Sequence, residues 1–231
     1  MKKVKGILLA LFILLFSSFA MADVINVPAD QPTIQQGLNT ATEGDTVLVA
    51  TGTYYENLFW PITNGIKLLS EFGADSTIID GSNTSTVIYI FGATIDTTTV
   101  IEGFTLQNGT ADAGGGISCL NASPIVENCV IENNEGGGCA FTNSISAVLI
   151  NNEIKENNGI GIKGEENSNL YISECVIENN NDTGIYFHSS SGNVVDCNIS
   201  ENIANYGGGI YCNNSNPNLE NVTILGNTAG D

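Results

Sequence analysis

Arginine is absent from this chain, and histidine occurs once, as His188. The basic residues number six, all of them lysine, against 25 acidic ones. A partner such as nucleic acid or an anionic membrane surface needs a basic footprint, so the composition argues against both. Arg is also the planar fork that grips carboxylates with paired hydrogen bonds, so tight capture of polyanionic glycans is disfavoured. A single His and no Cys-x-x-Cys pair leave a zinc site without ligands. After the first 22 residues no apolar run is long enough to span a membrane.

What is present begins with MKKVKGILLALFILLFSSFAMA. Lys2, Lys3 and Lys5 precede an apolar stretch, and Ala20-Met21-Ala22 fits a small-residue cleavage site. This pattern reads as a secretory signal peptide over 1–22 and implies a secreted, extracellular or cell-surface protein. Its removal leaves three lysines against 25 acidic residues, a net charge of −22. Such a surface favours solubility and could attract Ca²⁺. Otherwise no cofactor is indicated. The loop NNNDTG at 179–184 and the turn at Asp112 are the acidic candidates, and neither has EF-hand or nonapeptide spacing.

The dominant feature is a repeat. A glycine followed by an apolar residue recurs at Gly116-Ile117, Gly138-Cys139, Gly161-Ile162, Gly184-Ile185 and Gly209-Ile210, at spacings of 22, 23, 23 and 25 residues. Within each unit an aliphatic (Val126, Leu149, Ile172, Val194, Leu219) precedes an Ile-x-x-Asn. The isoleucines are Ile131, Ile154, Ile177, Ile199 and Ile224, and the asparagines are Asn134, Asn157, Asn180, Asn202 and Asn227. An earlier copy, VIEGFTLQNG, carries Ile101 and Leu106 with Gly109 in the Asn position. Short alternating strands separated by Gly and Asn turns at this period predict an all-β fold, a right-handed parallel β-helix. Roughly eight coils would give a rod of about 35–40 Å.

In such a stack each sequence column becomes a ladder of touching side chains. Three interior ladders are predicted. One is Ile117, Cys139, Ile162, Ile185 and Ile210; the next is Cys119, Phe141, Gly164, Phe187 and Cys212; the third is Cys129, Asn152, Cys175, Cys197 and Val222. The cysteines there act as small buried hydrophobes. Cys175 and Cys197 share one column in adjacent coils, a separation compatible with a disulfide. The asparagine column predicts a structural ladder, each Asn tolerating left-handed backbone and bonding coil to coil. Lys155 is expected between Glu132 and Glu178 as a counter-ion.

The segment QPTIQQGLNTATEGD places Ile34, Leu38 and Ala41 on one stripe. This predicts an amphipathic helix over 32–43 covering the N-terminal end of the rod, with Pro32 in its first turn. The division expected is 1–22 signal peptide, 23–86 cap and first coils, and 87–231 repeats. The last coil reads as incomplete: either the rod continues beyond it or the last coil is left uncapped.

The stretch TIQQGLNTATEGDTVLVATGTYYENLFW, followed by IKLLSEFG and STIIDG, resembles the N-terminal module of pectate-lyase-like right-handed parallel β-helix proteins. The Ile-x-x-Asn and Gly-Gly-Gly-Ile coils are similar to the repeats of chlamydial polymorphic outer membrane proteins, with Ile in place of Phe. The resemblance implies the fold. It also implies a family containing polysaccharide lyases, hydrolases and esterases beside adhesin-like surface proteins. The family's lyases use a basic Arg or Lys with carboxylate-bound Ca²⁺. Here Arg is missing, Lys155 and Lys163 sit in repeat columns, and His188 lacks the Gly-His-Gly setting of pectin hydrolases.

These readings lead to a non-catalytic repeat protein, structural, adhesin-like or glycan-binding, with polysaccharide or cell-surface glycan as partner. A polysaccharide lyase or hydrolase is the alternative. The candidate glycan face is the outward side of the strand after each Gly–apolar junction. There Lys163, Tyr186 and Tyr211 share a column and Glu165 and His188 share the next. Tyr rings offer a flat apolar face and a hydroxyl to a sugar.

Overall fold

The protein is described by a computed structural model covering residues 22–230. The proposed signal peptide lies outside the described residues, except for Ala22. Strands of two to five residues alternate inward and outward side chains and wind into three parallel sheets of nine, eight and seven strands. The first sheet runs from Val24–Val27 to Asn218–Glu220, the second from Gly52–Tyr55 to Thr223–Leu225, and the third from Leu58–Phe59 to Ile210–Asn213. Nine strands in the first sheet make the solenoid one turn longer than the repeat count predicts. Every pairing joins a strand to its equivalent one coil away, as in Ile131 with Ile154 and Ile154 with Ile177.

The predicted columns form the core. Val126, Leu149, Ile172 and Val194 are fully buried, as are Ile131, Ile154, Ile177 and Ile199. Ile101 and Leu106 of the early copy pair with Val126 and Ile131 and are buried with them. The last coil departs from expectation. Cys212, Leu219 and Ile224 are exposed, and Ile210 and Val222 only partly covered, because no further described coil packs on them.

The asparagine ladder forms as predicted, by a different backbone route. The Asn157 amide nitrogen donates to Asn180 Oδ1 at 3.0 Å, and the same oxygen accepts the Asn157 backbone N–H at 3.2 Å. Asn134 treats Asn157 in the same way, and Asn180 and Asn202 continue the chain to Asn227. Each amide also donates to a carbonyl of the preceding coil, such as Ile131 O for Asn157 at 2.9 Å. The left-handed residue is the one before the ladder Asn: Asn133, Glu156, Asn179 and Glu201 have φ of 53–55°. The ladder Asn is selected for its buried amide, which needs the geometry of a primary carboxamide.

The glycine of each junction is required by close approach. A Cβ on Gly161 would stand 2.8 Å from Ile177 Cγ2 and 2.6 Å from Gly184 O, and Gly138 and Gly184 are equally crowded. The coil closes tightly here because the ladder amide and the interior isoleucine meet the backbone at the same corner.

The N-terminal helix is shorter than predicted, Ile34–Thr40. Pro32 stands before it, and Thr33 is the N-cap, its hydroxyl accepting the Gln36 N–H at 3.1 Å. The Glu56 carboxylate accepts the Ile34 and Gln35 N–H groups, both at 2.9 Å, so the free end of the helix is closed by a charge of the favourable sign. Ile34 and Leu38 are buried, as the stripe implies.

Lys155 also differs from expectation. Its ammonium lies 2.8 Å from Glu153 and 3.8 Å from Glu132, with Glu178 outside its ion pairs. Glu153 is two residues away on the same strand face, so the lysine folds sideways instead of along the rod.

Candidate glycan-binding face

The outward side of the third sheet collects the predicted site residues. Lys163 pairs with Tyr186 and Tyr186 with Tyr211, while Glu165 pairs with His188. All five are half-buried. Tyr186 and Tyr211 stack with ring centroids 5.2 Å apart and planes 8° from parallel. Register imposes this: neighbouring strands hold equivalent Cβ atoms at about the strand spacing of ~4.8 Å, near the optimum for stacked rings. The Tyr186 hydroxyl lies 3.3 Å from His188 Nδ1. Lys163 is held by Glu165 at 3.0 Å, which leaves that pair without net charge.

The walls come from residues that column logic does not place. A hollow of about 200 Å³ is lined by Ile160, Asp182, Thr183, Tyr186, Asn205, Tyr206 and Tyr211. A second of about 240 Å³ shares Ile160 and Asp182 and reaches Asp112, Gly114 and Lys163. Together they form one trough along the rod axis. Tyr206 lies 6.2 Å from Tyr211 at an angle of 26°, extending the aromatic wall. Asp182 Oδ1 accepts the Thr183 N–H at 2.7 Å.

Loop length explains the trough. The junction glycine follows the ladder asparagine by four positions in three coils, for example Asn157 to Gly161, but by seven from Gly109 to Gly116 and from Asn202 to Gly209. The first long loop carries Asp112 and lays Gly114 over Ala140, where a Cβ would come 2.8 Å from that of Ala140. The second carries Tyr206 and packs Gly207 against Tyr211. The short loops between them leave the sheet open. Beyond Gly114 the same outward column continues to a second aromatic pair, Tyr89 and Phe59, with centroids 5.5 Å apart. The unequal loop spacing was the available signal for Asp112 and Tyr206.

Elsewhere the polar groups serve the fold. An open hollow of about 480 Å³ is lined by Asp23, Asp30 and Asp45, but Asp30 accepts from Asn26 and Asp45 from Thr42 and Asp23. Among the described residues no three His, Cys, Asp or Glu side chains converge in a cluster that could hold a metal ion. No described helix is long and apolar enough to cross a membrane.

No disulfide joins any two of the six cysteines in the structure. Cys119, Cys129 and Cys139 are buried, and burial pushes the Cys129 thiol up to about 12. Cys175 and Cys197 occupy equivalent positions of adjacent coils between the paired residues Ser173–Val195 and Val176–Asn198. The two thiols influence one another: the neighbouring Cys175 thiol draws Cys197 down, and Cys175 is pushed up in return, while the thiols themselves face main-chain carbonyls, Ser173 O for Cys175 and Val195 O for Cys197, both at 3.2 Å.

Comparison with known proteins follows the same geometry. The family described as right handed beta helix region matches residues 64–229. No curated protein sequence matches the chain. A pectate lyase, Pel9A, superposes with a TM-score of 0.69 and 13% identity, covering 91% of this chain and 65% of the lyase. The periplasmic alginate epimerase AlgG superposes with a TM-score of 0.53 and 16% identity, covering 87% of this chain and 55% of the epimerase. The chain thus spans under two thirds of either neighbour, and identity at this level shows the fold alone. The sequence match, the coil-to-coil pairing and the continuous ladders agree that the chain belongs to the right-handed β-helix family.

Proposed function

We propose that the chain is a secreted or cell-surface β-helix protein that binds glycan along its third sheet without turning it over. The observation that carries this reading is the Tyr186–Tyr211 stack on the floor of the trough. Flat rings with hydroxyl edges suit sugar rings. The strands beneath fix the rings in advance, so little side-chain freedom is lost on binding. The likeness to proteins named for pectate and alginate supports a polysaccharide as the class of ligand. Binding is favoured over catalysis because the trough's one ammonium, Lys163, is tied to Glu165. The leader-like N-terminus and the acidic surface support export.

The test is a glycan array with purified residues 23–231, paired with assays for unsaturated products and new reducing ends on the bound glycans with Ca²⁺ present. Binding that is lost in Tyr186→Ala/Tyr211→Ala, with no turnover, is expected. Turnover would establish the competing lyase or hydrolase reading.

A further inference from the structure

The charge of the trough bears on which glycan it takes. We infer that its ligand is a chain of uncharged sugars and not a polyuronate, an inference that rests on the glycan-binding reading above. The outward column lining the trough, Lys163 to Tyr211, spans two inter-strand steps, ~10 Å at the usual strand spacing, enough for a short run of sugar rings. Along it stand the carboxylates of Asp112 and Asp182. The one cation among its lining residues is Lys163, and Glu165 occupies it at 3.0 Å. No other cationic side chain lines either hollow.

A uronate chain would therefore bring its carboxylates against two of the same sign, with no guanidinium to fork them and an ammonium already paired. Bringing like charges together without a counter-ion is costly, most of all at Asp182, which is half-buried where Asp112 is exposed. An uncharged chain meets no such cost. Its hydroxyls can donate to Asp112 and Asp182, which are acceptors only, and its apolar ring faces can lie on Tyr186, Tyr206 and Tyr211. Carboxylate acceptors beside stacked tyrosines discriminate by charge while tolerating many hydroxyl patterns.

The experiment is calorimetric titration of the purified protein with neutral oligosaccharides (gluco-, galacto-, manno- and xylo-oligomers) and with oligogalacturonate and oligomannuronate of equal length. Each is run at low and high salt, with Ca²⁺ and with chelator. At least one neutral series is expected to bind, with little salt dependence and a loss of about tenfold in Tyr186→Ala. Uronates are expected to bind at least about tenfold more weakly, and Asp112→Asn/Asp182→Asn to narrow that gap. Uronate binding equal to or tighter than neutral binding, with or without Ca²⁺, overturns the inference. If it is also lost in Tyr186→Ala, the glycan-binding reading survives. Binding of no glycan of either charge removes both.

Discussion

Asn157 donates its side-chain amide to Asn180 Oδ1 at 3.0 Å while its own Oδ1 accepts both the amide and the backbone N–H of Asn134, at 3.0 and 3.1 Å. Each ladder residue is thus donor to one coil and acceptor for another. A single replacement breaks bonds in both directions.

Asn157→Ala should therefore destabilise well beyond the loss of one contact. It orphans the buried Asn134 N–H and the Ile131 carbonyl that Asn157 otherwise satisfies. At ~1–3 kcal/mol for each unsatisfied buried group, a loss of about 2–5 kcal/mol is expected. Urea denaturation followed by circular dichroism measures it; a change below ~1 kcal/mol would mean the ladder is redundant with the sheets.

Gly161→Ala tests the corner. The added methyl would sit 2.8 Å from Ile177 Cγ2 and 2.6 Å from Gly184 O. Overpacking against backbone should cost ~1–3 kcal/mol, measured by the same denaturation. Gly73→Ala is a control for glycine replacement as such: its Cβ would meet nothing within 4 Å, although its φ of 87° still carries backbone strain.

The equivalent positions of Cys175 and Cys197 predict a disulfide when the protein folds in an oxidising compartment, with a disulfide oxidant accepting the two electrons. Intact mass should rise by two hydrogens on reduction, and Cys175→Ala should abolish that change. Quantitative alkylation of both residues in the unreduced, denatured protein would instead establish them as a buried thiol pair.

Asp45 links pH to the N-terminal end. Hydrogen bonds from the Asp23 and Thr42 N–H groups, both 2.8 Å, hold its carboxyl below the ordinary value of 3.8. A depressed folded value means that ionised Asp45 stabilises the fold above the unfolded value. That contribution is lost as pH falls from about 4 through the lower folded value. Asp45→Asn should lower the melting temperature at pH 7 and flatten its decline below pH 4. An unchanged acid profile would move the effect to other carboxylates.

The sequence by itself determined the solenoid, its core columns and the residues that stack outward on the third sheet. The reason is translational symmetry: strands in register turn a position in one coil into the neighbour of the same position in the next, so Tyr186 and Tyr211 meet although 25 residues apart. Where that symmetry fails, only the tertiary structure decided. Tyr206 and Asp112 belong to loops longer than their equivalents, and their positions depend on how extra backbone folds over the sheet. Lys155 had carboxylates on three sides, and side-chain conformation chose Glu153 over Glu178. The left-handed residue fell one place before the ladder Asn because that amide must point into the core to reach both neighbouring coils. Periodicity specifies what each coil shares with the next; the trough arises where two coils differ.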